Sequence, residues 1–509
     1  MTHPVPANPA PAHRLRARRL GVETQSEAVV FMHADCPVGR SEGVTARTQI
    51  EVRDGARSII ATLYLVSSDM LALDEVGLSE VAWRRLGVAP DATLHVAHPN
   101  PLDSMSAVRA KVYGHRLDLL RLKAIVADVV AERYSDVQLA AFITAFSAQP
   151  PQLAETVALT RAMLEAGDRL AWPSPIVADK HCVGGLPGNR TTPLVVAIAA
   201  AAGLVIPKTS SRAITSPAGT ADAMETMAPV DLDLAAMRAV VDREGGCIVW
   251  GGSVRLSPAD DIFIRVERAL DLDSEAQLVA SVLSKKLAAG STHVLLDLPV
   301  GPTAKVRTRE DAERLSDQLV AVAAEFGMIV RPVLTDGSQP VGYGIGPALE
   351  AHDVLAVLRG AAGAPQDLRE RAVQLAGGVL ELGGKAAPGS GAESAAAILD
   401  DGRALAKFMA ICEAQGGFRE PPVAAFTHMI EAVRGGVLRA IDNRLLARVA
   451  KLAGAPRAKA AGVMLHAKAG DSVEPGQPLL TLHGESPGEL DYALSFAAAN
   501  PDMLLVRPR

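Results

Sequence analysis

Apolar and polar positions alternate with a period of two between about Arg40 and His98, as in Thr48-Gln49-Ile50-Glu51-Val52. They break at Asp54-Gly55 and resume through Ile59 to Val66. Alternation on both sides of an Asp-Gly turn predicts a β-hairpin, and the whole stretch a small β-rich domain. Past Pro101 the spacing becomes helical, with Leu117, Leu120, Leu122, Ile125, Val126 and Val129, then Leu139 to Phe146 and Leu153 to Ala166. A packed helical domain is expected there. Strand-like runs at Ile176–Ala178, His293–Val300 and Met328–Thr335 then alternate with helical runs such as Arg309–Phe326, the pattern of an α/β domain with a mixed or mainly parallel sheet. The helical run Ser274–Ala289 would return to the helical domain, another helix is expected over Pro365–Leu382, and Arg457–His483 reads as short strands between Gly and Pro turns. No repeat of fixed period interrupts this order.

The fold class expected is therefore multidomain α/β. Its parts are a mobile tail (1–20), a β-rich domain (21–100), a helical domain (101–170 plus about 262–290), an α/β domain (171–261 plus 291–430) and a C-terminal α+β element (431–509).

Composition narrows the function. The chain has 509 residues, 49% hydrophobic and 21% charged, enough apolar material for large cores and too much for a mainly disordered chain. A net charge of −6 removes the general electrostatic case for a nucleic-acid polymer or an acidic membrane as partner. Cys36, Cys182, Cys247 and Cys412 lie too far apart for a zinc or redox motif, which fits a reduced cytosolic setting. The most apolar stretch, Leu194–Ile206, is shorter than the ~20 residues of a membrane span and reads as a buried helix followed by a strand. The Pro/Ala-rich start carries Arg14, Arg16, Arg18 and Arg19 and lacks the apolar core of a secretion signal.

Three stretches can carry chemistry. In Asp179-Lys180-His181-Cys182-Val183-Gly184-Gly185-Leu186-Pro187-Gly188-Asn189-Arg190-Thr191-Thr192, glycines let the backbone approach a ligand, and a helix starting near Arg190 directs free N–H groups at an anion. The spacing is neither a Walker A loop nor a dinucleotide fingerprint, and a tight strand-to-helix connection is the plain alternative. In Lys208-Thr209-Ser210-Ser211-Arg212-Ala213-Ile214-Thr215-Ser216-Pro217-Ala218-Gly219-Thr220, five hydroxyls before Pro217 and two cations call for polar partners, which a phosphate, a sugar or solvent would supply. Two such loops after successive strands would meet at the carboxyl edge of a sheet. The third stretch holds Asp260, Asp261, Arg265, Arg268, Asp271, Asp273, Ser281, Lys285 and Lys286. Ser281 and Lys285 share a helix face, whether solvated or functional.

Lys180-His181-x-x-Gly184-Gly185, the Ser-rich loop ending in Gly219-Thr220, Leu256-Ser257-Pro258-Ala259-Asp260 and Ser281-x-x-x-Lys285-Lys286-Leu287-Ala288-x-Gly290 occur here in the order that they have in the thymidine and pyrimidine-nucleoside phosphorylases. The longer forms Gly-Gly-Leu-Pro-Gly-Asn-Arg-Thr-Thr and Lys-Thr-Ser-Ser-Arg-Ala-Ile-Thr-Ser-Pro-Ala-Gly-Thr resemble the second subfamily, which includes archaeal AMP phosphorylases and bacterial proteins classed as thymidine phosphorylases. The resemblance runs from about Pro101 to the end, and the N-terminal extension fits that subfamily.

The resemblance implies phosphorolysis. Inorganic phosphate attacks the anomeric carbon of a nucleoside or nucleotide, giving free base and an α-pentose 1-phosphate, with no metal or organic cofactor and with a homodimer or higher homo-oligomer as the expected assembly. Carried over by position, Lys180, Thr192, Ser210 and Thr220 match phosphate-binding positions, while Cys182 replaces a serine there. Ser281, Lys285 and either Arg265 or Arg268 match base-contacting positions. On the AMP phosphorylase side Gly185, the loop Ser211, Arg212, Ala213, Ile214, Thr215 and Ser216, then Thr220, Ser281 and Lys305 match nucleotide-binding positions, with Asp273 as the acid that protonates the leaving base. The expected substrate is thymidine or a related pyrimidine nucleoside, with a nucleoside 5′-monophosphate as the alternative.

Two further readings compete. A magnesium-dependent phosphoribosyltransferase of related fold would need a carboxylate metal site, for which Asp260-Asp261 is the nearest pair. Gly470-Asp471-Ser472-Val473-Glu474-Pro475-Gly476-Gln477-Pro478-Leu479 resembles a biotinyl or lipoyl carrier domain, but Leu480-Thr481-Leu482-His483-Gly484 offers no lysine to modify, so a structural β element is expected.

Overall fold

The computed structural model describes residues 14–508 apart from 151, 214, 215, 271 and 273, and the side chain of Arg268 also lies outside the described set. The chain divides into two compact units, 1–145 and 146–509.

The first unit opens with a closed barrel of strands β1 (Arg14–Arg19), β2 (Val29–His33), β3 (Gln49–Asp54), β4 (Arg57–Val66), β5 (Glu75–Leu78) and β6 (Thr93–Ala97), in the order β1-β5-β2-β4-β3-β6. The pairs β1/β5 and β2/β4 are parallel and the others antiparallel. Helices α1 (Pro37–Glu42) and α2 (Glu80–Leu86) lie between strands in sequence. Asp54 pairs with Arg57 across the expected hairpin turn. The mobile-tail expectation for 1–20 is corrected over 14–19. Leu15 and Ala17 point into the barrel core, while Arg16 and Arg18 pair with Glu75 and Arg19 with Glu80 on its surface. Arginine content hid a strand whose alternation is Arg-out and apolar-in. Residues 1–13 of that expected tail lie outside the described residues. Helices α3 (Met105–Val112), α4 (Leu119–Val130) and α5 (Asp136–Ser147) follow.

The second unit begins with α6 (Leu153–Glu165) and builds a parallel sheet from β7 (Ala178–Cys182), β8 (Ile206–Ser210), β9 (Gly246–Trp250), β10 (His293–Val300) and β11 (Ile329–Asp336). β10 lies between β11 and β7, β8 pairs with β9, and a parallel bridge from Val177 to Val205 joins the two sets. The connecting helices are α7 (Thr191–Ala201), α8 (Thr220–Glu225), α9 (Leu234–Glu244), α10 (Pro258–Leu270), α11 (Glu275–Ala288) and α12 (Arg309–Ala324). α7 is buried nearly throughout, which explains its lack of a polar face. Strand β12 (Gly344–Ile345) follows, and α7 packs among helices α13 (Pro347–Leu358), α14 (Gln366–Leu382), α15 (Gly391–Asp400) and α16 (Arg403–Ala414), where Leu194, Ile198, Leu375, Val379, Phe408 and Ile411 share one core. Strand β7 departs from its expected bounds. β7 runs from Ala178 to Cys182 instead of ending at Ala178, because Asp179–Cys182 continue the ladder with Val294–Asp297 of β10.

The C-terminal part comprises β13 (Phe426–Glu431), β14 (Gly436–Ile441), α17 (Asn443–Leu452), β15 (Gly462–Leu465), β16 (Ser472–Val473), β17 (Pro478–Gly484), α18 (Pro487–Ala499) and β18 (Leu504–Arg507). Its sheets run β12-β15-β17-β13 and β16-β14-β18. It therefore draws in Gly344–Ile345 and the start of β13, both ahead of the boundary expected at 431.

Candidate active site

Four consecutive residues of β7 set the charge pattern. Asp179 is buried between two ammonium groups, Lys208 of β8 at 3.2 Å and Lys286 of α11 at 2.7 Å. Burial opposes ionisation of Asp179, but the two lysines hold its carboxyl below the ordinary range. Burial in turn lowers the pKa of Lys208, against the pull of Asp179. Lys180 is fully buried, donates to Thr191 Oγ1 at 2.8 Å and lies 3.4 Å from Asp297. Asp297 also accepts from Thr335 Oγ1 at 2.6 Å and from Asn189 Nδ2 at 3.3 Å. Those partners, Lys180 foremost, hold Asp297 low against the effect of burial.

His181 follows on the strand. Burial, and then the charges of Lys286, Lys208, Lys285 and Lys180, push its pKa well below the ordinary value, so the imidazole is neutral near pH 7. The sequence reading gave His181 no role, although its place between Lys180 and the glycines was a signal. Cys182, the residue that departs from the phosphate-binding serine, accepts a long bond from Asn189 Nδ2 at 3.5 Å. Burial and the nearby Asp297 push its thiol up to about 12, so it presents a neutral sulfur.

The two loops are tied together. Gly185, at φ +81°, lies against the backbone of Lys305, where a Cβ would come within 2.3 Å of the Lys305 nitrogen. Arg190 is the N-cap residue of α7, and its Nη1 donates to Thr220 Oγ1 at 2.7 Å. The Ser-rich loop closes around Asp222, whose Oδ2 accepts from the amides of Ala213 at 2.6 Å and Gly219 at 2.9 Å. Ser216 Oγ donates to the Ala218 carbonyl, Ser211 is exposed, Ser210 is half-buried and Thr192 is buried. Arg212 forks onto Glu225 with two bonds of 2.7 Å, lies 3.5 Å from both Asp222 and Asp231, and stacks over Trp250 at 4.8 Å. Its donors are directed at carboxylates, so Arg212 anchors the loop. Ile214 and Thr215 lie outside the described residues.

Glu225 is held down to about 2, first by the Arg212 hydrogen bond and then, against burial, by Lys459 at 2.7 Å. A carboxyl lowered on folding adds stability above its unfolded pKa and loses that contribution as pH falls through the folded value. Glu225→Gln should therefore destabilise the chain at pH 6, and the gap to wild type should close on acidification from about 4.5 toward 2. Urea unfolding of both proteins across that range would show it, and a gap independent of pH would contradict it.

On α11, Lys285 Nζ donates to Ser281 Oγ at 3.1 Å and to Asp260 Oδ2 at 2.6 Å. The i, i+4 pair is thus formed, with Asp260 of α10 behind it. Arg265 is half-buried on α10. Asp273 lies outside the described residues, as does the side chain of Arg268. The neighbouring residue Lys286 is the one bound to Asp179, so the helix carrying the base-contacting candidates is fastened to the strand carrying Lys180.

Cationic and hydroxyl groups are thus held on two loops and on a helix fastened to the same strand. Residues 174–405 match the glycosyl transferase family a/b domain, 105–167 the glycosyl transferase family helical bundle domain, and 437–502 the pyrimidine nucleoside phosphorylase C-terminal domain. "Putative thymidine phosphorylase 1" of Acidovorax sp. (strain JS42) is 62% identical over 97% of this chain and 96% of its own length. "Putative thymidine phosphorylase" of Polaromonas sp. (strain JS666 / ATCC BAA-500) is 59% identical over 99% of both. The solved anthranilate phosphoribosyltransferase (TrpD) of Thermus thermophilus is similar in fold, with a TM-score of 0.50 at 20% identity, covering 61% of this chain and 99% of that one. The class is that of the pentosyltransferases. Within it the chain belongs to the pyrimidine nucleoside phosphorylase family. Among the described residues, no helix is long and apolar enough to cross a membrane.

Proposed function

We propose that the protein catalyses phosphorolysis of thymidine or a related pyrimidine nucleoside, giving free base and 2-deoxy-α-D-ribose 1-phosphate. The observation that carries this reading is the buried cation cluster of Lys180, Lys208 and Lys286 beneath two loops rich in hydroxyl and amide donors, with the Ser281–Lys285 pair on the helix fastened to it. Lys180, Thr192, Ser210 and Thr220 hold phosphate. A phosphate oxygen bonds to the anomeric carbon as the glycosidic C–N bond breaks, and the bonding pair leaves on the base. Ser281 and Lys285, with Arg265 or Arg268, receive the developing charge on the base, and Asp273 supplies its proton. No cofactor takes part in this scheme.

A nucleoside 5′-monophosphate is the second reading, supported by the contact of Gly185 with Lys305, which brings two nucleotide-binding candidates together, and by the exposure of Ser211. Magnesium-dependent phosphoribosyl transfer is disfavoured by Asp260, whose carboxylate is buried against Lys285. A homodimer is part of the proposal, and the exposed Tyr113 at the end of α3, Leu120 on α4 and Val137 on α5 offer apolar surface for it. A chromatographic assay of base release from thymidine, uridine, cytidine, AMP, CMP and UMP, with and without inorganic phosphate and with a chelator present, tests the reading. Phosphate-dependent release of thymine supports it, selective release from monophosphates moves it to the nucleotide alternative, loss with the chelator favours metal-dependent transfer, and no release from any of the six overturns both substrate assignments.

A further inference from the structure

Arg190 ends the Gly-rich loop, yet its side chain serves the other loop. Nη1 donates to Thr220 Oγ1 at 2.7 Å, and Nη2 donates to the Ala218 carbonyl at 3.0 Å. On the opposite edge, Nε donates to Glu350 Oε2 at 2.7 Å, with Nη2 at 2.5 Å from the same oxygen. Glu350 Oε1 in turn accepts from the Gly346 amide at 3.1 Å. Arg190 and Thr220 are each 9% exposed and Glu350 1%, so the geometry is enclosed by protein.

A guanidinium carries donors only, so the Thr220 oxygen must be the acceptor in its bond with Arg190. A hydroxyl so engaged still has its own proton to give. Among the described residues, Thr220 gives that proton to no protein acceptor. A nearly buried hydroxyl that already accepts from a cation and has its proton available can donate to a group that only accepts, and a phosphate oxyanion is such a group.

Resting on the phosphorolysis reading, we infer that Arg190, fixed by Glu350, is a positioning residue. It makes the Thr220 hydroxyl a dedicated donor to an oxygen of bound inorganic phosphate, and it sets the spacing of the two loops.

The test is a cycle of variants titrated calorimetrically with inorganic phosphate, with the KM for phosphate and for the nucleoside followed in parallel. Arg190→Met alone would leave Glu350 buried and unpaired, so the Arg190→Met/Glu350→Met pair removes both charges together. Thr220→Val and the paired variant should each weaken phosphate binding about tenfold to a hundredfold. The triple variant should be no worse than the weaker of these, because Arg190 acts through Thr220. The nucleoside KM should hardly move. Losses that multiply in the triple variant, or equal losses for both substrates, would overturn the inference, since a purely structural staple would behave in that way. Should the paired variant not fold, Arg190→Lys keeps a charge opposite Glu350 but cannot span to Thr220 and Ala218 as well. It should show the same phosphate-selective loss, and wild-type binding by it would sink the idea. A wild-type chain that neither binds phosphate nor releases base in its presence would overturn the phosphorolysis reading itself, whereas normal wild-type behaviour with additive variants overturns the inference alone.

Discussion

Lys180→Met should fold with reduced stability and lose turnover by on the order of a hundredfold or more. Two consequences of one buried ammonium lie behind this. Asp297 keeps its bonds from Thr335 and Asn189 but loses its nearest cation, and removing one partner of a buried pair costs about 3–5 kcal/mol. The remaining polar partners of Asp297 argue for the lower end of that range. Separately, the donor bond to Thr191 Oγ1 disappears from the start of α7, together with a positive charge close to where phosphate would be held. The two consequences can be separated with Lys180→Met/Asp297→Asn, which removes the charge left behind. Denaturant unfolding should show most of the stability restored, while single-turnover assays at saturating phosphate should show no recovery. Recovery of both would mean that Lys180 acts only on the fold.

This division between structural and chemical roles also marks what the sequence made legible. Period-two and helical spacing located the strands β3, β4, β10 and β11 and the helices α7, α11, α12 and α14, because each buries a face or a whole surface that must be apolar. The spacing failed where charge is buried. Asp179, Lys180 and His181 read as the start of a loop, whereas they are ladder residues of β7. Only the ion pairs with Lys208, Lys286 and Asp297, contributed by distant parts of the chain, make that strand possible. A different limit applies at the N-terminus, where four exposed arginines suggested a tail although Leu15 and Ala17 between them face the barrel core. In the candidate site, residue types and order pointed to the two loops, but not to their internal pairing. Arg212 carried the same weight in the sequence as Lys180, yet three carboxylates face it. Arg190 carried little weight and proves to bridge the loops. Partner choice of this kind depends on which side chains meet across some tens to hundreds of residues, and no local pattern encodes it.

The neighbouring glycines of the first loop provide the second large expected effect. Gly184 and Gly185 both adopt positive φ, +91° and +81°, so alanine at either position bears a left-handed backbone penalty of about 1–2 kcal/mol. Their surroundings differ. A Cβ on Gly184 would meet nothing within 4 Å, whereas one on Gly185 would lie 2.3 Å from the Lys305 nitrogen and 2.4 Å from its Cβ. The obstruction includes backbone, which cannot swing aside as a side-chain tip can, so the loop and the Lys305 segment must separate. A displacement of about 1 Å in a positioned site can cost about a hundredfold in rate. Gly185→Ala should therefore lose catalytic efficiency by that order and melt below Gly184→Ala, which bears the backbone penalty alone. Gly184→Ala should show the stability loss with a much smaller kinetic change. The comparison needs only thermal melts and kcat/KM with phosphate varied. Equal kinetic losses in the two variants would show that backbone conformation, and not the close approach to Lys305, is what the loop requires.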